Sequence, residues 1–216
     1  MRAWKIGCAA AAAIVFATGS ARAGMVITEW MYAPASAPLG EFIEFTNKGP
    51  GPVDMSTYNF DDNDPLQGLT SLAAFGMVAA NESVILTDDV ASTFRTNWGL
   101  PASVKIIGGN TNNLGRSDAI NLFDGSTLID NLTYNDQGTG SVAGPRANGF
   151  SASIPLANTT PPSEAASSAT RAVAGDVFGS TTNLQGDVGN PSITPEPASL
   201  GLLACGAVLC VRRRQF

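Results

Sequence analysis

The segment Gly40-Glu-Phe-Ile-Glu-Phe-Thr-Asn47 carries two glutamates among aromatic and aliphatic side chains. Side chains of a β-strand point alternately to the two faces of a sheet, so Ile43 and Phe45 share one face, and Phe42 and Glu44 lie on the other. The pattern predicts a strand with one core face. Glu41 and Glu44 are three positions apart and so fall on opposite faces, where we expect them to be edge or surface groups.

Similar short runs follow one another as far as Tyr134. Each is rich in β-branched or aromatic residues, and glycine, proline, asparagine and aspartate separate them. Asp124-Gly125, for example, is typical of a turn between adjacent strands. Frequent short strands of this kind predict an all-β sandwich or barrel. The expected strands are Met25–Tyr32, Gly40–Asn47, Val53–Phe60, Glu82–Thr87, Val104–Ile107, Asp118–Phe123 and Leu128–Tyr134.

One short helix is expected within this β-rich region. Apolar residues recur every four positions at Val90, Phe94 and Trp98, which is the spacing of one helix face. Gly99-Leu-Pro101 then ends the pattern, since glycine and proline stop helices. The preceding pair Asp88-Asp89 is expected to cap the helix N-terminus, which favours carboxylates.

Several strands carry motifs that resemble the lamin-tail domain family. Gly40–Asn47 is similar to that family's GE-aromatic-x-E strand, and Pro52-Val-Asp-Met-Ser56 with Tyr58 to its PVDLS-x-W strand. Ser117–Asp124 resembles the closing GD-x-I-x-L-x-D pattern. Tyr58 stands where the family usually has tryptophan, and Ser117 where it has glycine.

The resemblance covers roughly residues 25 to 135. It implies an immunoglobulin-like β-sandwich that binds or displays a partner rather than catalysing a reaction.

Residues 137–191 are rich in Gly, Ser, Thr, Ala and Pro and show little periodicity. We expect the sandwich to span residues 24–191, with a low-complexity excursion near 137–170. The alternative is a domain that ends near Asp136 and continues as a disordered stalk.

Residues 1–23 are typical of a secretory signal peptide. Arg2 and Lys5 form a basic start, an apolar stretch follows, and Ala21-Arg22-Ala23 fits an A-x-A cleavage site. We expect this helical segment to be removed by a signal peptidase, leaving Gly24 as the N-terminus of an exported protein.

Residues 192–216 contain three features in a fixed order. Pro195-Glu196-Pro197 is followed by an apolar run, residues 198–211, and then by Arg212-Arg213-Arg214. The 14 apolar residues are expected to form a helix shorter than the roughly 20 residues that span a bilayer comfortably. The arginines resist translocation and hold this end in the cytoplasm.

This arrangement resembles the PEP-CTERM sorting signal, which an exosortase-type membrane enzyme processes. The resemblance implies a protein that is transiently anchored in the inner membrane and then released to the cell envelope or extracellular matrix. The alternatives are an ordinary C-terminal membrane anchor, or an apolar strand that ends in a solvated run of charged residues.

Charge and composition exclude several classes of function. Residues 24–193 carry 6 basic and 17 acidic residues, a net charge of −11, which disfavours nucleic-acid binding. The three cysteines, Cys8, Cys205 and Cys210, all lie in the terminal segments, so the body has no disulfide. Histidine is absent, which removes the Ser-His-Asp triad and the commonest zinc ligand.

Two features could support ligand binding. The acidic segment Asp61-Asp62-Asn63-Asp64 offers oxygen ligands for calcium, although its register fails the EF-hand pattern. Aromatic side chains could stack on a sugar, but in a sandwich they are expected to be core residues first. The aromatic side chains considered are Trp30, Tyr32, Phe42, Tyr58 and Trp98.

The sequence therefore predicts an exported, non-enzymatic envelope or matrix protein without a cofactor. The alternative is a surface module that binds calcium or an extracellular polysaccharide.

Overall fold

The computed structural model of the chain describes residues 24–35, 39–62 and 70–192. Within these ranges the protein is mostly β-structure with a single α-helix, α1, at Ala91–Trp98. The predicted signal peptide and, apart from Ser192, the predicted sorting signal lie outside the described residues. The strands are β1 Met25–Met31, β2 Phe42–Asn47, β3 Val53–Asp54, β4 Tyr58–Asp62, β5 Thr70–Ser71, β6 Met77–Val78, β7 Ser83–Thr87, β8 Lys105–Ile107, β9 Ser117–Asp124, β10 Thr127–Asn135, β11 Ala152–Ser153, β12 Thr170–Arg171, β13 Thr181–Thr182 and β14 Val188–Gly189.

The larger sheet has six strands in the order β12-β11-β1-β2-β7-β8. Neighbouring strands are antiparallel except β7 and β8, which are parallel. A parallel pair needs a crossover connection, and α1 lies in it. The helix ends at Gly99, whose left-handed backbone (φ 64°) lets its N–H bond the carbonyls of Arg95 and Thr96. The predicted helix and its glycine stop are confirmed.

The acidic pair before α1 acts differently from the prediction. Asp89 accepts the N–H of Val90, which is the N-cap residue itself, and Asp88 accepts the N–H of Gly40. No side chain caps the helix. The pair therefore joins the helix start to the neighbouring loops.

The smaller sheet has four antiparallel strands in the order β10-β9-β4-β5. β9 and β10 form a hairpin, as predicted, and Gly125 takes a positive φ of 56° in its turn. The predicted strand Val53–Phe60 is divided in the structure. β3 pairs with β6 in a separate ribbon, whereas β4 joins the smaller sheet.

The main hydrophobic core lies between these two sheets. The ring of Trp30 from β1 lies 5.4 Å from that of Tyr134 from β10, and Tyr32 stacks on Tyr134 at 5.8 Å. The aromatic residues considered for sugar stacking are all buried, which confirms the core interpretation; they are Trp30, Tyr32, Phe42, Tyr58 and Trp98.

A second, smaller core lies on the outer face of the larger sheet. Phe42 of β2 packs edge-on against Phe94 and Trp98 of α1, with ring centres 5.4 and 5.9 Å apart. Met31 and Ile85 complete the group, which we call the outer core. The prediction that β2 has one core face was wrong, because α1 covers the face we expected to meet solvent.

The chain beyond Asp136 adds to both the sheet and the core. β11 pairs with β1 and with β12, and so extends the larger sheet. Ala147, Ile154 and Ala166 lie in the main core. Much of the region expected to form a low-complexity excursion is therefore packed against the sandwich.

Two packed sheets, rather than a barrel, are consistent with the immunoglobulin-like fold that the resemblance implied. Among the helices of the described ranges, none has the length and apolar character needed to cross a membrane.

Candidate functional site

Two glutamates of adjacent strands lie opposite each other on the outer face of the larger sheet. Glu29 of β1 and Glu44 of β2 are register partners. A β-bulge between Ile27 and Glu29 interrupts the alternation of β1, so that Ile27 and Trp30 both reach the main core while Glu29 turns outward. Both glutamates are buried, with exposed fractions of 1% and 2%. We call them the carboxyl pair.

The terminal segment, residues 188–192, covers the carboxyl pair. The N–H of Asn190 donates to Glu29 Oε1 at 2.9 Å, and the N–H of Ser192 donates to Glu44 Oε2 at 2.6 Å. The Thr28 hydroxyl donates to Glu44 Oε1 at 2.6 Å. The two carboxyl groups thus bind backbone from the far end of the described chain.

Burial raises the pKa of both members of the carboxyl pair, because a charge is poorly solvated there. For Glu29 the nearby Glu44 carboxyl raises the pKa further. In the described ranges the ion pairs are Lys105–Glu82 and Arg116–Asp136, so neither Glu29 nor Glu44 has a cationic partner. At neutral pH the pair therefore favours retaining a proton.

Glu41 is also buried, but at the end of the main core. Its Oε1 accepts the N–H of Leu114 at 2.5 Å. Burial, together with the nearby Asp88 and Asp118, raises its pKa to about 8. Asp118 in turn accepts the N–H of Gly115.

Asp130 of β10 is a third buried carboxyl site. Its two oxygens accept the N–H groups of Ile27 at 2.8 Å and of Asn131 at 3.0 Å. Burial and then the neighbouring Glu164 raise its pKa to about 8, although Lys48 acts in the opposite direction. The bond to Ile27 ties the smaller sheet to β1.

The predicted calcium ligands divide between described and undescribed residues. Asp61 and Asp62 form the end of β4 rather than a loop, and Asp61 is buried. Asn63 and Asp64 lie outside the described residues. In the part of the chain that is described, no group of three or more acidic, histidine or cysteine residues is placed to hold a metal ion.

The predicted processing residues also lie mostly outside the described ranges. Of the signal-peptide cleavage residues, Gly24 alone is described, and its carbonyl accepts the N–H of Lys48 at 3.0 Å. The other predicted processing residues, Ala21, Ala23, Pro195, Glu196, Pro197, Arg212, Arg213 and Arg214, are among the undescribed ones.

The prediction that Glu41 and Glu44 are edge or surface groups was wrong. Glu41 is covered by the loop that carries Leu114, and Glu44 by the terminal segment. A signal was present: glutamates recur inside otherwise apolar strands at Glu29, Glu41 and Glu44. The residues whose N–H groups bind Glu41 and Glu29 lie 73 and 161 positions away in the sequence. No local sequence pattern therefore identifies these partners.

These sites share one arrangement: a buried carboxyl group that accepts N–H groups from a segment distant in sequence. Such bonds satisfy backbone donors that would otherwise be buried without partners. Chemically, they are proton-binding groups with a pKa raised towards neutrality.

Comparison with known proteins agrees with this architecture. The family model described as Lamin Tail Domain matches residues 18–136, more than half of the chain. No curated protein and no solved structure matches the chain significantly. The matched range contains β1 to β10 and the glutamates of β1 and β2. The chain belongs to the lamin tail domain family.

Proposed function

We propose that this protein is an exported, non-enzymatic β-sandwich of the cell envelope or extracellular matrix. A signal peptide, residues 1–23, directs export, and a PEP-CTERM signal, residues 192–216, anchors the protein in the membrane until an exosortase-type enzyme processes it. The described unit between these segments is the cargo.

The observation that carries the proposal is that acidic side chains lie inside the protein and bind its own backbone. Glu29, Glu41, Glu44 and Asp130 are buried and bound to backbone N–H groups. Such carboxyl groups stabilise a scaffold rather than face a substrate. Membership of the lamin tail domain family supports the same role.

Both ends of the described unit are tied into the fold. Gly24, which follows the predicted cleavage site, bonds Lys48, and Ser192, at the start of the predicted sorting signal, bonds Glu44. This arrangement suits a folded cargo with one targeting segment at each end.

The alternative, a module that binds calcium or polysaccharide, gains no support from the geometry. The aromatic side chains considered for sugar stacking are buried. The structure shows Asp61 and Asp62 of the candidate calcium ligands as strand residues.

Mass spectrometry of the protein recovered from cells tests the proposal. We expect the mature chain to begin at Gly24 and to lack Arg212-Arg213-Arg214 in cells that contain the processing enzyme. In cells without that enzyme the arginines should remain. An intact C-terminus in both strains would contradict the proposal.

A matched pair of variants tests the motif itself. Replacing Glu196 and both flanking prolines by alanine should block loss of the tail, whereas Thr194→Ala, one residue outside the motif, should not. Equal processing of both variants would exclude Pro195-Glu196-Pro197 as the signal.

A further inference from the structure

The terminal segment crosses the outer face of the larger sheet strand by strand. Val188 bonds the backbone of Gly149 and Ser151 beside β11. Asn190 then accepts a hydrogen bond from the Ser153 hydroxyl of β11 and donates to Glu29 of β1, and Ser192 donates to Glu44 of β2. The segment therefore passes over β11, β1 and β2 in their order in the sheet.

The contacts of residues 190 and 192 with the sheet centre on the carboxyl pair. Pro191, between them, has no N–H to donate. Asn190 and Ser192 therefore each give one N–H to one member of the pair. These two bonds attach the segment to β1 and β2.

The surroundings of the pair favour its protonated form. Glu29 Oε2 and the Ser151 hydroxyl are buried, and neither has a hydrogen-bond partner of good geometry in the described chain. The hydroxyls of Ser151 and Thr28 are donors that lower the pKa of Glu29 and of Glu44 respectively, but burial raises both pKa values more. No described cation pairs with Glu29 or Glu44.

The charged groups on the neighbouring elements do not offset a second negative charge. Asp176, on the turn beside the pair, is bound by the N–H groups of Val173, Phe178 and Ser180 and adds negative charge. Asp187 is bound to Ala35 and Asn183. On α1, Arg95 donates to the carbonyls of Pro101 and Val104. β7 and β11 contribute only uncharged side chains.

We propose that Glu29 and Glu44 form a proton-operated clasp that holds the terminal segment on the sheet and releases it when both carboxyl groups are ionised. Two charges facing each other in a buried site repel and must be hydrated, which requires water to enter. Because Asn190 and Ser192 bond the pair directly, lifting residues 190–192 from the sheet would admit that water.

Release would free the base of the predicted sorting signal. Five residues, 193–197, separate Ser192 from the apolar run. Opening of the clasp would therefore release Ser192, the residue at which the predicted sorting signal begins. This consequence for processing rests on the proposed function, whereas the clasp itself does not.

Hydrogen exchange of the Asn190 and Ser192 amides in the full exported chain tests the clasp. After correction for the chemical exchange rate, we expect their protection to fall about tenfold or more between about pH 6 and pH 9. The buried Leu72 amide, which donates to the carbonyl of Tyr58 rather than to a carboxyl group, reports on general loosening. Constant protection of Asn190 and Ser192 would overturn the proposal, as would an equal loss at Leu72.

Variants separate the clasp from other effects of pH. Glu29→Gln with Glu44→Gln keeps similar side chains without charge and should reduce the change in protection to less than about twofold. Glu82→Gln, which removes a carboxylate paired with Lys105, should behave as the unchanged protein does. If the double variant does not fold, Glu44→Gln alone should still weaken the pH dependence.

Failure of the clasp and failure of the proposed function give different results. If exchange is independent of pH but the tail is removed in cells, the clasp is wrong and the proposed function stands. If exchange follows pH but the tail remains intact, the clasp stands and the processing hypothesis is wrong.

Discussion

Single residues determine how this sandwich is closed. The bulge in β1 turns Glu29 to the outer face while Trp30 returns to the main core. Gly108, after β8, allows the backbone to pass directly against the start of α1. A Cβ atom there would collide with the backbone nitrogen of Ala91 and lie 2.6 Å from the Asp89 carbonyl oxygen.

We expect Gly108→Ala to destabilise the protein by about 1–3 kcal/mol, since rigid backbone on both sides must shift. Gly51→Ala is the control, because a Cβ at Gly51 meets no atom within 4 Å; its effect should stay within about 0.5 kcal/mol. Urea unfolding of both variants measures the difference. Equal stability of the two would show that the loop after β8 can move away from α1.

At the scale of elements, long periodic segments were predictable and short ones were not. The spacing of Phe94 and Trp98 predicted α1, and period-2 alternation located most of the longer strands. β11 and β12 have two residues each, too few to show a period. β11 pairs with β1, and β12 pairs with β11. The burial of the outer face of β2 was not predicted for a different reason. The sequence of a single strand does not indicate which element packs on its second face.

The outer core should contribute substantially to stability because it attaches α1 to the larger sheet. Phe42 is buried between Phe94 and Trp98, and Phe42→Ala should cost about 3–5 kcal/mol through lost burial and the cavity left behind. Val177→Ala is the control, since Val177 is 92% exposed, and should change stability by less than about 0.5 kcal/mol. Chemical denaturation measures both, and a small effect of Phe42→Ala would mean that α1 is weakly attached.

At the scale of the whole molecule, acidic residues dominate and many of them are inside. Residues 24–193 carry a net charge of −11, and the sequence shows this excess directly. Composition could not show that Glu29, Glu41, Glu44 and Asp130 are buried, because the N–H groups that bind them come from remote segments. The candidate site therefore became visible only in the folded chain.

Buried carboxyl groups make a definite prediction for the pH dependence of stability. The pKa of Glu41 and of Asp130 is raised to about 8, and those of Glu29 and Glu44 are raised in the same direction. An unfolded carboxyl group titrates near pH 4. Between about pH 4 and pH 8 the folded state therefore binds more protons than the unfolded state, so the free energy of unfolding should fall as pH rises through this window. Asp136 and Asp176 have lowered pKa values and act in the opposite direction, but only when the pH falls below about 4.

Thermal unfolding at about pH 5, 6, 7 and 8 in one ionic strength measures this dependence. We expect the midpoint temperature to decrease steadily across the series, because each group that must give up its proton to the solvent weakens the folded state. Glu41→Gln should flatten the dependence, since the amide stays neutral at every pH, whereas Glu82→Gln should leave its slope unchanged. A midpoint that rises with pH would mean that the buried carboxyl groups are charged and stabilised by their N–H donors, and that the protons assigned to them, including the one assigned to the carboxyl pair, are not there.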